Sequence, residues 1–309
     1  MRKFLLVAVI GLLPLFIFAA YTFINPVGPT LVPIASMLEN PELAKGEAEY
    51  EIHLWRSVDE AISMIVAGRA DISLLPVTVG AQLAASGVDI RLAAVAMWNG
   101  FFVVSRAEEI DSIHDLINKD IYTLQAPGQT GDAMLRGLAE GAGYTMGRDI
   151  RTVYVAGPEA VQLLAAGRAE VIMVPEPFAS LAVFRVDNAR KHLPVEVMWE
   201  QLTGSKMDIP TSGLFVSADL DERIVNDFLT LYEKSMELSL KNTDETAALV
   251  SEKMGDFPIP VLKQAIASTG YVFKRAPVIK EEVAYYLDTL RELDPEIVGT
   301  LEYENFFAE

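Results

Sequence analysis

The 309-residue chain contains no cysteine. That absence excludes a disulfide framework, a cysteine nucleophile, a CxxC redox pair and a thiolate metal site. It also excludes the lipid anchor of bacterial lipoproteins, which is built on a cysteine. Histidine is almost missing: only His53, His114 and His192 occur, with no HExxH pair, which argues against a His-rich zinc site. Basic residues are few, 25 Lys plus Arg against 43 Asp plus Glu, for a formal charge of −18. That sign argues against a nucleic-acid partner, whose phosphates need basic patches. No P-loop, GxSxG elbow or nucleotide fingerprint is present. What is present is 51% hydrophobic and 9% aromatic residues, enough to exclude a disordered chain. The length suggests about two domains at ~100–200 residues each.

The N-terminus reads as an export signal. Arg2 and Lys3 precede an apolar run from Phe4 to Phe18, then Ala19 and Ala20. The run falls short of the ~20 residues of a comfortable span, and Pro14 interrupts it. Cleavage after Ala20 or Ala19 would put Phe18 or Ile17 where a small residue is preferred, so an uncleaved anchor is the alternative. Loss of Arg2 and Lys3 with the leader would move the formal charge from −18 to −20.

An internal repeat organises the rest. Glu60–Pro76 (EAISMIVAGRADISLLP) and Glu159–Pro175 (EAVQLLAAGRAEVIMVP) share seven identities in 17 positions, without a gap. Upstream, NPVGPT at Asn25–Thr30 corresponds to QAPGQT at Gln125–Thr130. Two related units therefore lie end to end. In the first, the pattern predicts strands at Tyr21–Ile24, Tyr50–Trp55 and Ile72–Leu75, with helices near Leu31–Leu38 and from Val58. Val58, Ala61, Ile62, Ile65 and Val66 recur at helical spacing. Ser57 reads as the N-cap, with Glu60 as its capping-box partner, and Gly68 as the stop. The second unit repeats this with strands Ile121–Leu124, Arg151–Val155 and Val171–Val174 and helices Thr130–Ala142 and Pro158–Ala166. Strands alternating with helices imply parallel βαβ units. Arg91–Trp98, Phe101–Ser105 and Ser212–Ser217 read as strands carrying crossings between units. The chain after Asp219 reads as helix and is expected to cover the first lobe.

In open α/β sheets, ligands bind beyond the carboxyl ends of the strands. That rule gathers Asn25, Pro26, Thr30, Trp55, Arg56, Pro76, Thr78 and Trp98 from the first unit. From the second it gathers Gly128, Thr130, Gly131, Asp132, Glu176 and Phe178. Helix N-termini at these turns favour anionic or acceptor groups. Trp55 and Trp98 could stack on a ring or simply fill the core. Glu176, between two prolines at a buried strand end, must be solvated or paired. It could accept from a ligand amine or pair with an arginine such as Arg56.

The export signal, the two-lobe α/β repeat and the AGRADISLLP and AGRAEVIMVPEPF segments resemble periplasmic substrate-binding proteins of ABC importers. The closer resemblance is to the nitrate, alkanesulfonate, taurine, thiamine-precursor and riboflavin binders. Ile113–Pro127 is similar to the strand-opening segment of that group's second lobe, and Glu176-Pro177-Phe178 to its Glu-Pro-aromatic motif. The resemblance covers about Tyr21 to Ser217. It implies an α/β, type II periplasmic binding protein fold: two lobes, each a mixed, mostly parallel sheet covered by helices, with the ligand cleft between them. It also implies delivery of one small solute to a membrane permease, with no catalysis and no cofactor. The expected organisation is a leader at 1–20, first-lobe residues 21–105, a second lobe at 106–211, and 212–309 returning to the first. Hinges are expected near Ser105–Arg106 and Thr211–Gly213. The expected location is the periplasm, tethered only if the leader is retained. Glu176, Asp132 and the tryptophans favour a nitrogen heterocycle; the helix N-termini favour a small anion such as a sulfonate. The rival readings are an enzyme on the same fold acting on a cofactor precursor, using Glu176 or Asp132, and a membrane-tethered sensory domain.

Overall fold

The computed structural model describes residues 20–106, 109–124 and 127–309. The leader before Ala20 and the start of the Gln125–Asp132 turn lie outside the described residues.

The first sheet contains β1 (Ala20–Pro26), β2 (Glu49–Trp55), β3 (Ile72–Pro76) and β4 (Ile90–Trp98). The second contains β5 (Phe101–Ser105), β6 (Asp120–Thr123), β7 (Arg151–Tyr154), β8 (Val171–Pro175) and β9 (Arg190–His192). The chain then returns to the first sheet as β10 (Pro210–Ser217) and β11 (Lys274–Arg275). The order is β11-β4-β10-β3-β1-β2 in one sheet and β7-β6-β8-β5-β9 in the other.

The repeat is visible in these orders. In each sheet the strand leading into the repeated turn pairs in parallel with the next two: β1 with β2 and β3, and β6 with β7 and β8. A strand from the other half of the chain then joins antiparallel, β10 beside β3 and β5 beside β8. The expected parallel core therefore stands, flanked by antiparallel strands.

Local chemistry sets the helices. α1 (Leu31–Glu39) follows the Pro-Gly-Pro-Thr turn, and α2 (Val58–Val66) starts at Ser57, whose hydroxyl accepts from Glu60 N at 3.3 Å. The Glu60 carboxylate accepts from Arg56 N at 2.9 Å, one residue outside the expected reciprocal box. α3 (Val77–Ala85) leaves β3 directly. The second lobe adds α4 (Thr130–Gly141), α5 (Gly157–Ala165), α6 (Phe178–Arg185) and α7 (Val195–Thr203). The tail carries α8 (Glu222–Lys241), α9 (Thr243–Lys253), α10 (Ile259–Ser268) and α11 (Ala276–Leu293).

The central strands are apolar runs buried along their length: Ile72, Leu74 and Leu75 in β3 and Val171–Val174 in β8. Such continuous runs mark strands covered on both faces. On the first lobe Phe23, Phe228 and Tyr232 pack ring on ring, which seats α8 over β1. The tail does more than cover that lobe. α10 packs on α6, and α11 packs on α4 of the second lobe.

The first crossing differs from expectation. Phe101–Ser105 pairs with β8 and β9, so it belongs to the second sheet. The chain crosses at Asn99–Gly100, where both residues have positive φ, 56° and 84°. Ser105 lies inside a ladder, paired with Val171 and Arg190. Thr211–Gly213 likewise lies in β10, whose pairing begins at Pro210 opposite Trp98, so the return crossing precedes it. The single-sequence pattern could not tell which partner Phe101–Ser105 would choose, because that continuous apolar run suits either sheet.

Candidate functional site

A cavity of about 450 Å³ lies where the ends of the two sheets meet. Strand ends form its walls: Pro26, Trp55, Pro76 and Met97 from the first sheet, and Phe101, Leu124 and Pro175 at the edge of the second. Thr211 and Ser212 at the start of β10 complete it. Residues from the first turns of α1 and α2, and from the start of α4, also line it: Gly28 to Thr30, Ser57 to Asp59, and Gln129 with Thr130. The first N–H groups of a helix lack intrahelical partners and carry its positive dipole end. Arg56 is the lining cation and Asp59 the lining carboxylate. The two side-chain charges cancel, so the helix ends tip the local potential positive.

Six of the expected residues line this cavity: Pro26, Thr30, Trp55, Arg56, Pro76 and Thr130. The other eight do not. Asn25 is fully buried beneath the turn; its Nδ2 donates to Pro26 O at 2.9 Å. Thr78 is buried in the first turn of α3. Trp98 is 2% exposed; its indole N–H donates to Val272 O at 2.9 Å, and Lys274 Nζ sits 4.1 Å from the ring centroid. Gly128 takes φ 80°, and a Cβ there would come 2.8 Å from Gln82 Nε2 of the opposite lobe. Gly131 is buried inside α4. Phe178 packs against Phe257 of the tail at 5.9 Å between centroids, and against Gly157.

The two carboxylates that suggested a donor-rich ligand are both committed elsewhere. Asp132 is fully buried and accepts hydrogen bonds from Gly128 N at 2.9 Å, Arg136 Nε at 3.0 Å and Tyr154 Oη at 2.8 Å. Glu176 is 1% exposed. Its oxygens accept from Ser180 N and Ser180 Oγ, both at 3.1 Å, from Ser268 Oγ at 2.6 Å and from Lys191 Nζ. The partner of Glu176 is thus Lys191, on β9; Arg56 is exposed on the cavity instead. A buried carboxylate needs its lone pairs filled by the protein, and here they are.

Met97, Phe101, Leu124, Pro175, Thr211 and Ser212 were not reached by sequence reasoning. The carboxyl-end rule describes parallel strands. Antiparallel β5 and β10 present their amino ends on the same edge, so Phe101, Thr211 and Ser212 face the cavity from positions the rule does not address. Among the described residues no group of three or more His, Asp or Glu is placed to hold a metal ion, and no helix is long and apolar enough to cross a membrane.

Residues 33–250 match the family described as ABC transporter, phosphonate, periplasmic substrate-binding protein. A search of curated proteins returns no match. Among solved structures, an ABC transporter protein from Parabacteroides distasonis superposes with a TM-score of 0.78 at 21% identity, over 94% of this chain and 99% of that one. The periplasmic aliphatic sulphonate binding protein SsuA from Escherichia coli gives 0.74 at 15% identity, over 94% and 92%. The alkanesulfonate-binding protein SsuA from Xanthomonas axonopodis pv. citri, bound to MOPS, gives 0.67 at 13%, over 91% and 95%. At these identities the structures establish a common fold, the one that the resemblance implied. The family match covers more than two thirds of the chain, with strands of both sheets, and on that ground the chain belongs to the phosphonate-type periplasmic substrate-binding proteins of ABC transporters.

Proposed function

We propose that this receptor captures a small organic anion that carries an apolar portion, such as a sulfonate or phosphonate. As the substrate-binding component of an ABC importer it works outside the cytoplasm, binds a small ligand and delivers it to a permease. The observation that carries the ligand class is the composition of the cavity. Three helix starts offer positive potential and Arg56 offers a donor fork for an anion, with Asp59 balancing its charge, while Val27, Met97, Phe101 and Leu124 offer apolar wall. A volume of about 450 Å³ suits a small ligand. The heterocycle reading rested on Glu176, Asp132, Trp55 and Trp98; Trp55 lines the cavity, but Trp98 and the two carboxylates that would accept from a donor-rich ring do not. The same commitment removes the acid and base that a catalytic reading needs, which supports capture without chemistry. The proposed lobes are 20–98 with 210–309, and 101–207, joined at Asn99–Gly100 and at the return near Asp208–Ile209. We propose that Met1–Ala20 directs export; N-terminal sequencing of the exported chain distinguishes a cleaved leader from a retained anchor.

The test is a thermal-shift and calorimetric panel of MOPS, butanesulfonate, a short alkylphosphonate, nitrate, thiamine and riboflavin. At least one organic anion should raise Tm and bind. Arg56→Ala should weaken that binding about tenfold, or ~1.4 kcal/mol. Stabilisation by thiamine or riboflavin and by none of the anions would overturn the ligand class.

A further inference from the structure

Three segments meet where the lobes join. The first crossing is zipped to the second: Asn99 N donates to Ile209 O at 2.8 Å, Asn99 Oδ1 accepts from Ile209 N at 2.7 Å, and Asn99 Nδ2 donates to Asp208 at 2.8 Å. The tail passes beside them. Trp98 N donates to Gly270 O at 2.8 Å, and a Cβ on Gly270 would come 2.7 Å from Trp98 O.

Glu176 is bonded to this junction through both backbone and side chain. Its N–H donates to Gly100 O, the second residue of the crossing, at 2.8 Å. Its carboxylate accepts from Ser268 Oγ, at the end of α10, at 2.6 Å. α10 rests on α9, which packs on α1 of the first lobe, and α10 also packs on α6 of the second, so Ser268 sits on the seam between the lobes, joined to the first through α9. The other donors to the carboxylate, Ser180 and Lys191, belong to the second lobe. The residue before Glu176, Pro175, lines the cavity.

We propose that Glu176 is a positioning residue for ligand capture: without touching the ligand, it sets how the two lobes stand relative to each other. The physical reason is the asymmetry of a buried charge. Its intralobe donors stay with it whatever the lobes do, but the Ser268 bond spans the junction. Rotation that parts Ser268 from Glu176 leaves a buried carboxylate short of one donor, which disfavours that arrangement. Arrangements that keep the bond are favoured accordingly, and the apparent affinity for ligand scales with the population that is competent to bind. The inference rests on the two-lobe receptor reading and not on the ligand class.

The absent cysteines make the test direct. Spin labels on Arg69→Cys and Arg168→Cys, exposed in the equivalent turns of the two lobes, report interlobe distance by electron–electron resonance on the full chain, dialysed and without added ligand. Ser268→Ala should change the ratio of the populations at the different interlobe distances by about tenfold, the scale of one hydrogen bond to a charge, and Glu176→Gln should move it the same way. Ser180→Ala removes a donor of the same carboxylate from within one lobe. It should lower the unfolding midpoint and leave the distances unmoved. A Ser268→Ala distribution that overlays the parent, or one that Ser180→Ala reproduces, would overturn the proposal. Because no ligand is added, failure of the anion panel leaves this result standing on its own.

Discussion

Asp132 offers a measurement that separates scaffold from ligand contact. Its carboxylate lies at the start of α4 and ties three groups together: the Gly128 turn, Arg136 one helical turn on, and Tyr154 from β7. Asp132→Ala deletes all three bonds. Hydrogen bonds to a charged group contribute about 1.5–3 kcal/mol each, but the wild type also bears the desolvation of a fully buried carboxylate, several kcal/mol. Tyr154 and Arg136 are 42% and 31% exposed, so both can turn to water when the carboxylate is gone. The net loss should therefore be near the low end of a broken buried pair, about 3 kcal/mol. Asp132→Asn keeps the shape. Its oxygen can still accept from Gly128 and Arg136, and its amide can donate to the Tyr154 oxygen. It forfeits only the charge assistance, about 1–2 kcal/mol. Urea unfolding followed by circular dichroism reads both values. The order wild type, then Asn, then Ala is the expected result. An Ala variant within about 0.5 kcal/mol of wild type would refute the scaffold role. So would an Asn variant with an unmoved midpoint and abolished ligand binding, which would put the carboxylate on the ligand.

Other consequences can be checked in the same unfolding experiments. Gly80→Ala would set a Cβ about 2.1 Å from the ring of buried Phe215, and should cost about 3 kcal/mol as overpacking, with Phe215→Leu in the same chain recovering part of it. Trp98→Phe loses the bond to Val272 O and should cost about 1 kcal/mol with ligand affinity unchanged; a drop in affinity would return Trp98 to the site. Burial raises the Glu196 carboxyl above its ordinary range, with repulsion from Asp208 adding to it, and Oε2 has no partner among the described residues. A raised folded-state value means that the ionised form costs stability above it, so Glu196→Gln should be more stable than wild type at pH 7. That gain should fade as pH falls from the raised folded-state value towards the unfolded value of 4.5 and be gone below it; a constant difference across pH would show that the charge is not the cause.

Local sequence fixed much of this molecule because its signals are short-range. The 3.6-residue spacing in Val58–Val66 and the apolar runs at Ile72–Pro76 and Val171–Pro175 each determine their own element. The gapless repeat determined that the two sheets share a parallel three-strand core, since equal sequences make equal local choices. The rule that ligands sit beyond the carboxyl ends of parallel strands brought in the turns at Asn25–Thr30 and Trp55–Ser57, and Thr30, Trp55 and Arg56 do line the cavity. Only the tertiary structure decided three other matters. Which sheet Phe101–Ser105 joins depends on a free ladder edge on β8, and β8 pairs with it from 66 to 74 residues away. Whether Glu176 and Asp132 meet a ligand or a protein donor depends on Lys191, Ser268, Arg136 and Tyr154, none of them marked by spacing. Which residues of β5 and β10 face the cavity depends on strand direction. Side-chain pattern reports burial and period; it carries no sign for the direction in which a strand crosses a sheet, and no record of which distant donor will fill a buried carboxylate.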